Sequence, residues 1–167
     1  QQSLSDYEGD DLIEDITLYP YEEFSDTLLV INYANDLSAH LYFDSLNYFL
    51  QNKEINLSHE FTHLVMNIDS DASEIHDEGM FLHLGYNDLS GDYVTEDTYF
   101  ILSSSIDSMI LPIGETLRAF QDGNNETDIN IIIKTDKDSY NYSKFVILND
   151  STIIELTNPH INLMYWE

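Results

Sequence analysis

The 167-residue sequence contains no cysteine and no long apolar run. The absence of cysteine excludes a disulfide framework and thiol chemistry, and it removes redox usage as a guide to the compartment. No segment approaches the ~20 apolar residues of a membrane-spanning helix, so we expect no membrane span. No signal peptide is visible, and a chain that begins at Gln1 is compatible with a processed N-terminus.

Positive charge is scarce. The sequence has 5 Lys and Arg residues against 32 Asp and Glu residues, which gives a formal net charge of -27. A field of this sign repels nucleic acid and anionic membranes, so we expect no direct nucleic-acid binding. Three interpretations are compatible with it: a solvated surface in salty surroundings, a surface that collects divalent cations, and an acidic mimic of DNA that inhibits a nucleic-acid-binding protein.

Residues that favour helix interiors are also few, with four Ala, four Lys and one Arg. Short segments rich in β-branched and aromatic side chains alternate instead with Gly, Asn and Asp turns. This pattern predicts a mainly β protein, with an acidic N-terminal arm at residues 1–11 and a single-domain antiparallel β-sandwich of the jelly-roll or Ig-like type at residues 12–167. An α+β zincin-like fold is the alternative, and it depends on one short motif.

The predicted strands share short length, β-branched composition and apolar alternation. They are residues 12–18, 26–33, 39–43, 80–86, 98–102, 144–148, 152–156 and 162–166. Polar residues at 34–36 and 149–151 predict the turns of two hairpins. A further pair of strands is predicted within residues 108–135: Leu117 and Ala119 alternate in the first, and Asp122-Gly123-Asn124 turns the chain toward the second at residues 129–133. Residues 46–50 fit either a strand or a helix.

His59-Glu60-Phe61-Thr62-His63 fits the H-E-x-x-H pattern of zinc peptidases. On a helix, side chains four residues apart are about 6 Å apart, so His59 and His63 would share one zinc ion and Glu60 would polarise its bound water. On a strand, the same residues are about 13 Å apart and would not chelate one ion. Residues 55–68 fit both periods, and the strand is the favoured interpretation.

A Glu-Gly pair follows at Glu78-Gly79, and with it residues 55–86 resemble the gluzincin metallopeptidases, in which a second helix supplies a Glu that is often followed by Gly. The resemblance implies that His59, His63 and Glu78 are zinc ligands and that Glu60 is the general base of a secreted peptidase. The sequence departs from the family at Phe81, where a small residue is usual, and in the strand-like segments that follow the motif.

Acidic loops offer oxygen ligands that suit calcium. The candidates are Asp69, Asp71, Glu74 and Asp77 in one segment, and Asp136 and Asp138 in another. Neither segment has the spacing of a calcium-binding loop, so a solvated loop is the favoured interpretation and calcium is the alternative.

Two segments resemble the small β-sandwich accessory proteins of phage and other virus particles. They are residues 28–45, LLVINYANDLSAHLYFDS, and residues 108–135, which contain Pro112-Ile-Gly-Glu-Thr-Leu117. The resemblance implies a virion or extracellular-filament component without catalytic residues, which contacts other subunits in a homo- or hetero-oligomer. An exposed edge strand or the arm at residues 1–11 would mediate those contacts. We therefore expect a non-enzymatic structural or assembly protein, with a zinc peptidase and a DNA mimic as alternatives.

Overall fold

The computed structural model describes residues 13–18, 28–43, 46–51, 56–102, 105–123, 130–135, 143–148 and 159–166. The strands are β1 (Ile13–Leu18), β2 (Leu28–Ile31), β3 (Ala39–Tyr42), β4 (Asn56–Leu57), β5 (His63–Asn67), β6 (Met80–Asn87), β7 (Tyr93–Ile101), β8 (Ser108–Pro112), β9 (Asn130–Lys134), β10 (Phe145–Leu148) and β11 (His160–Trp166). The helices are α1 (Leu46–Gln51) and α2 (Gly114–Gln121). The predicted mainly β class is confirmed.

These strands form three antiparallel sheets. The five-stranded sheet has the order β1-β11-β5-β8, with β4 also paired to β11. The four-stranded sheet has the order β3-β9-β6-β7, and β2 pairs with β10 in a two-stranded sheet. Buried side chains from all three sheets and from both helices form one hydrophobic cluster. The sheets are therefore packed together as the predicted sandwich requires.

Alternation along the strands gives each large sheet a core face and an outer face. In β5, Leu64 and Met66 are fully buried while the side chains between them are partly exposed. In β6, Met80, Leu82 and Leu84 are fully buried in the same way. The period-two pattern in the sequence therefore reports which face of each strand meets the core.

Helix α2 corrects the prediction of a strand through Leu117 and Ala119. Ile113, Leu117 and Phe120 are spaced four and three residues apart, and all three are buried. This spacing places them on one side of a helix, whereas only part of the segment fits a strand period. The predicted pair of strands within residues 108–135 is therefore also wrong, because β8 and β9, on either side of the helix, belong to different sheets.

Strands β2 and β3 were both predicted, but the hairpin that would join them is wrong. Strand β2 pairs with β10 and β3 pairs with β9, and a single bridge between Asn32 and Leu37 links the two segments. The Asn32 side-chain oxygen accepts a hydrogen bond from the backbone N–H of Asn35 at 3.0 Å. Asp36 then adopts a φ of 51°, and the chain turns into another sheet.

The remaining predictions about organisation divide into two groups. Residues 46–50, which fitted either a strand or a helix, lie in helix α1. The arm at residues 1–11, the turn at 149–151 and the strand at 152–156 lie outside the described residues. In the part of the chain that the structure describes, no helix is long and apolar enough to cross a membrane.

Candidate binding surface

The H-E-x-x-H segment is a turn followed by a strand. Residues His59–Phe61 form a single 3-10 turn, and His63 begins β5. The helical interpretation of this segment is therefore wrong, and with it the spacing that the zinc alternative requires. The local cause is Thr62, which is fully buried and donates a hydrogen bond from its hydroxyl to the Ser58 carbonyl at 2.8 Å. This contact closes one turn, after which burial of alternate residues favours a strand.

His63 lies on the outer face of the five-stranded sheet, where its Nδ1 is 3.1 Å from the carbonyl oxygen of Phe61. Glu60 is exposed in the 3-10 turn. The position of the His59 side chain lies outside the description. The structure thus places Glu60 and His63 on different local elements and not on one helix face.

Glu78 and Gly79 form the turn that leads into β6, where the resemblance to gluzincins implied a second helix. The Gly79 N–H donates to the His76 carbonyl at 2.7 Å, and Gly79 has a φ of 83°. A Cβ at this position would also lie 2.6 Å from a ring carbon of Phe100. Glycine follows Glu78 because the turn has positive φ and because an aromatic ring rests on it.

Two of the acidic residues proposed as calcium ligands have local structural roles. The Asp69 carboxylate accepts a hydrogen bond from the Ala72 N–H at 2.9 Å, and the Glu74 backbone pairs with that of Lys144. Among the residues that the structure describes, no three His, Asp or Glu side chains are grouped closely enough to hold a metal ion. Asp136 and Asp138 lie outside the described residues.

Aromatic side chains occupy the outer face of the four-stranded sheet. Phe81 of β6 and Phe100 of β7 are opposite each other, with ring centroids 4.8 Å apart. Next along this face, the His83 ring stacks at 6.4 Å from that of Phe81, and its Nδ1 lies 3.0 Å from the Thr98 hydroxyl. Phe100 remains 49% exposed. An exposed aromatic pair of this kind can contact a partner through either an apolar or a cationic group.

Tyr93 fixes the first part of β7 onto its sheet. Its hydroxyl donates to the His83 carbonyl at 2.8 Å, so the ring lies over β6. Lys134 of β9 places its Nζ 4.4 Å from the centroid of the same ring. Burial raises the pKa of Tyr93 to about 12, so the hydroxyl is a donor at neutral pH. Gly85 allows the close approach, because a Cβ there would lie 1.8 Å from the Val94 carbonyl oxygen.

A β-bulge interrupts β7 at Glu96. Leu84 pairs with Asp97 and Gly85 pairs with Thr95, which leaves Glu96 as the extra residue. Beyond the bulge, Asp97 accepts a hydrogen bond from the fully buried Thr116 of α2, at 2.9 Å. Burial raises the pKa of Asp97, and the hydrogen bond from Thr116 opposes that shift.

The bulge divides the strand into two parts, and the exposed large apolar side chains lie after it. We call residues 93–97 the closed half and residues 98–102, which run one residue past β7, the open half. Among the described residues, β7 pairs with β6 alone, so one edge of the open half has unpaired backbone groups. Leu102 is 66% exposed, and Tyr99 anchors the segment by donating to the Pro112 carbonyl. Glu96 lies two residues before the open half, and Glu78 lies two residues before Met80, which pairs with Ile101; both glutamates are exposed.

A second apolar surface lies beside the two-stranded sheet. It is an open hollow of about 450 Å³. Its lining residues are Val30, Asn32, Ala34, Asn35, Leu37, Glu74 and Lys144. Asn32 is almost fully buried and donates to the Ser143 carbonyl at 2.8 Å, so the wall of the hollow is rigidly held. Leu37 is 44% exposed at its rim.

The sequence predicts strands β6 and β7 of the four-stranded sheet, but it does not predict the aromatic surface that they form. The alternation over residues 80–86 and 98–102 places Phe81 and Phe100 on the faces opposite to the core residues. Their pairing follows only from the register of β6 with β7, which the bulge at Glu96 shifts. The nearest signal in the sequence is Gly85 within a strand, because an isolated glycine there often marks a bulge or a close backbone approach.

No model of a known protein family and no curated protein matches this chain.

Proposed function

We propose that this chain is a non-enzymatic assembly protein of an extracellular particle or filament, and that it acts by binding other protein subunits. The observation that supports the proposal is the open half of β7. It combines an edge that pairs with no other described strand with Phe100 at 49% exposure and Leu102 at 66% exposure. Strand edges that carry exposed large apolar side chains associate with other chains unless they are protected.

The charge of the chain indicates the chemistry of the partner. Two copies would each bring a formal charge of -27 to a shared interface, and this repulsion opposes close contact unless salt screens it. A positively charged subunit would instead gain both faster encounter and a favourable interface. We therefore propose a hetero-oligomer with a basic partner as the main assembly.

The proposal is tested by sedimentation of the purified chain, alone and mixed with structural subunits of particles or filaments isolated from the same source. We expect a complex with a basic subunit that weakens as salt is raised, since screening removes the electrostatic attraction. A chain that stays monomeric at high concentration and binds none of these subunits would contradict the proposal. Self-association that strengthens with salt would point to a homo-oligomer in place of the basic partner.

A further inference from the structure

We infer that the open half of β7 is a strand-addition site, at which an extended and positively charged segment of the partner joins the four-stranded sheet next to β7. The inference rests on the proposed function and deepens it, because it names the binding mode and the chemistry of the bound segment.

The backbone at the edge of the open half is regular. Strand addition needs a row of unpaired N–H and C=O groups on a regular strand. Residues 98–101 pair with β6 in continuous register from Met80 to His83, with no irregularity after the bulge. These four residues therefore offer about 14 Å of regular edge at about 3.4 Å per residue. The closed half does not, because the extra residue at Glu96 breaks the ladder.

The features that protect the edge of β7 lie in the closed half. Native sheets protect an edge with bulges and with charged side chains that point inward. Strand β7 has both devices, namely the bulge at Glu96 and the inward carboxylate of Asp97 bound to Thr116. Both lie before residue 98, and the following residues Thr98, Tyr99, Phe100, Ile101 and Leu102 carry no charge. Protection thus stops where the exposed apolar side chains begin.

The side chains of an added strand would meet an exposed aromatic ring and nearby carboxylates. Because side chains alternate between the two faces of a sheet, every second residue of the segment would lie on the outer face, the face that carries Phe100. A Lys or Arg there would contact the exposed aromatic ring. The exposed residues Glu96, two positions before the open half, and Glu78, two positions before the partner of Ile101, favour positive charge in the added segment. A second copy of this chain has no such basic segment, since it carries only 5 Lys and Arg residues in total.

The test uses a short fluorescent peptide that alternates Lys with Val, and measures its affinity by anisotropy. The chain is compared with its Phe100→Lys and Ile110→Lys variants. Ile110 is the matched control because it is 65% exposed on the edge strand β8 of the other large sheet, and its replacement adds the same charge. We expect Phe100→Lys to weaken binding about tenfold or more and Ile110→Lys to change it by less than about twofold, after circular dichroism shows that both variants are folded.

A second peptide separates strand addition from attraction by charge alone. In this peptide, the amides that would face β7 are N-methylated, so its charge is unchanged and its edge hydrogen bonds are removed. We expect its affinity to fall about tenfold. Equal affinity for the two peptides, or equal weakening by both variants, would overturn the inference.

The failure of this inference can be told apart from failure of the proposed function. Sedimentation of the Phe100→Lys variant with the basic subunit provides the distinction. If the variant still forms the complex that the unmodified chain forms, then the partner binds elsewhere and only the strand-addition site is wrong. If the unmodified chain forms no complex with any subunit, the proposed function itself fails.

Discussion

The two halves of β7 have the same neighbour in the sheet but differ in the side chains that they expose, which are polar in the closed half and include large apolar ones in the open half. The closed half is held by the Tyr93 hydroxyl on the His83 carbonyl, by the bulge at Glu96 and by the Asp97 hydrogen bond to Thr116. The open half has one anchor toward the other large sheet, from Tyr99 to Pro112, and it exposes Phe100.

This difference shows that edge protection is local. A bulge and an inward carboxylate act over the residues where they occur, and they leave the next few residues of the same strand available for pairing. The contrast predicts that substitutions in the closed half lower stability, whereas substitutions in the open half alter binding.

The largest effect is expected for Gly85→Ala, which disrupts the closed half. The new Cβ would lie 1.8 Å from the Val94 carbonyl oxygen, so the bulged strand would have to move. We expect the free energy of unfolding, measured with urea, to fall by about 3 kcal/mol. Gly123→Ala is the control: Gly123 has a φ of 72° but no atom within 4 Å of the added Cβ, and we expect a loss of about 1 kcal/mol. Equal losses in the two variants would contradict the packing argument.

A smaller loss is expected for Asp97→Ala. The substitution removes the acceptor for the fully buried Thr116 hydroxyl. Leaving a buried donor unpaired costs about 2 kcal/mol, whereas Asp97→Asn keeps an acceptor oxygen and should lose clearly less. Urea denaturation of both variants at neutral pH checks the comparison. If Asn is as destabilising as Ala, then the hydrogen bond does not hold the closed half to α2.

The pH dependence of stability provides a third and smaller effect. Burial raises the pKa of Asp97 in the folded chain above its ordinary value of 3.8. At a pH between the ordinary pKa and the raised pKa, the folded state binds more protons than the unfolded state. The stability that this group contributes is therefore gained as pH falls through the raised pKa and lost as pH rises. We therefore expect the difference in unfolding free energy between the unmodified chain and Asp97→Asn to shift in favour of the unmodified chain on acidification. A difference that stays constant with pH would refute the assigned burial of this carboxylate.

The smallest effect on stability is expected for Leu102→Lys in the open half. Leu102 is 66% exposed, and substitutions at such positions usually change the unfolding free energy by no more than about 0.5 kcal/mol. The same variant should weaken binding of the Lys–Val peptide, because it places a positive charge beside the added strand. Thermal and urea unfolding measure the first part, and peptide anisotropy the second. A large loss of stability would mean that Leu102 is part of the fold and not of a binding edge.

Local pattern was sufficient to predict the fold class but not the way in which the strands pair. The alternation in β5 and β6 was visible because burial of Leu64, Met66 and Leu82 follows a period of two. Helix α2 was missed because Leu117 and Ala119 also fit that period, and its helical face appears only when Ile113 and Phe120 are included. The hairpin of β2 with β3 failed for another reason, since strand partners are chosen by contacts between distant parts of the chain.

The candidate surface depends on such distant contacts even more strongly. The H-E-x-x-H motif is a pattern of five adjacent residues that is visible in the sequence alone, yet Thr62 and the burial of Leu64 make the segment a turn and a strand. The open half had no comparable signal. It exists because the bulge at Glu96 ends just before it, and a bulge is a property of two paired strands.

Amide hydrogen exchange along β7, measured with and without the alternating Lys–Val peptide, tests strand addition most directly. We predict that the peptide slows exchange of amides within residues 98–102 and leaves residues 93–97 unchanged, because only the open half gains a new hydrogen-bonded neighbour. Equal protection of both halves, or protection confined to another edge such as β8, would contradict it.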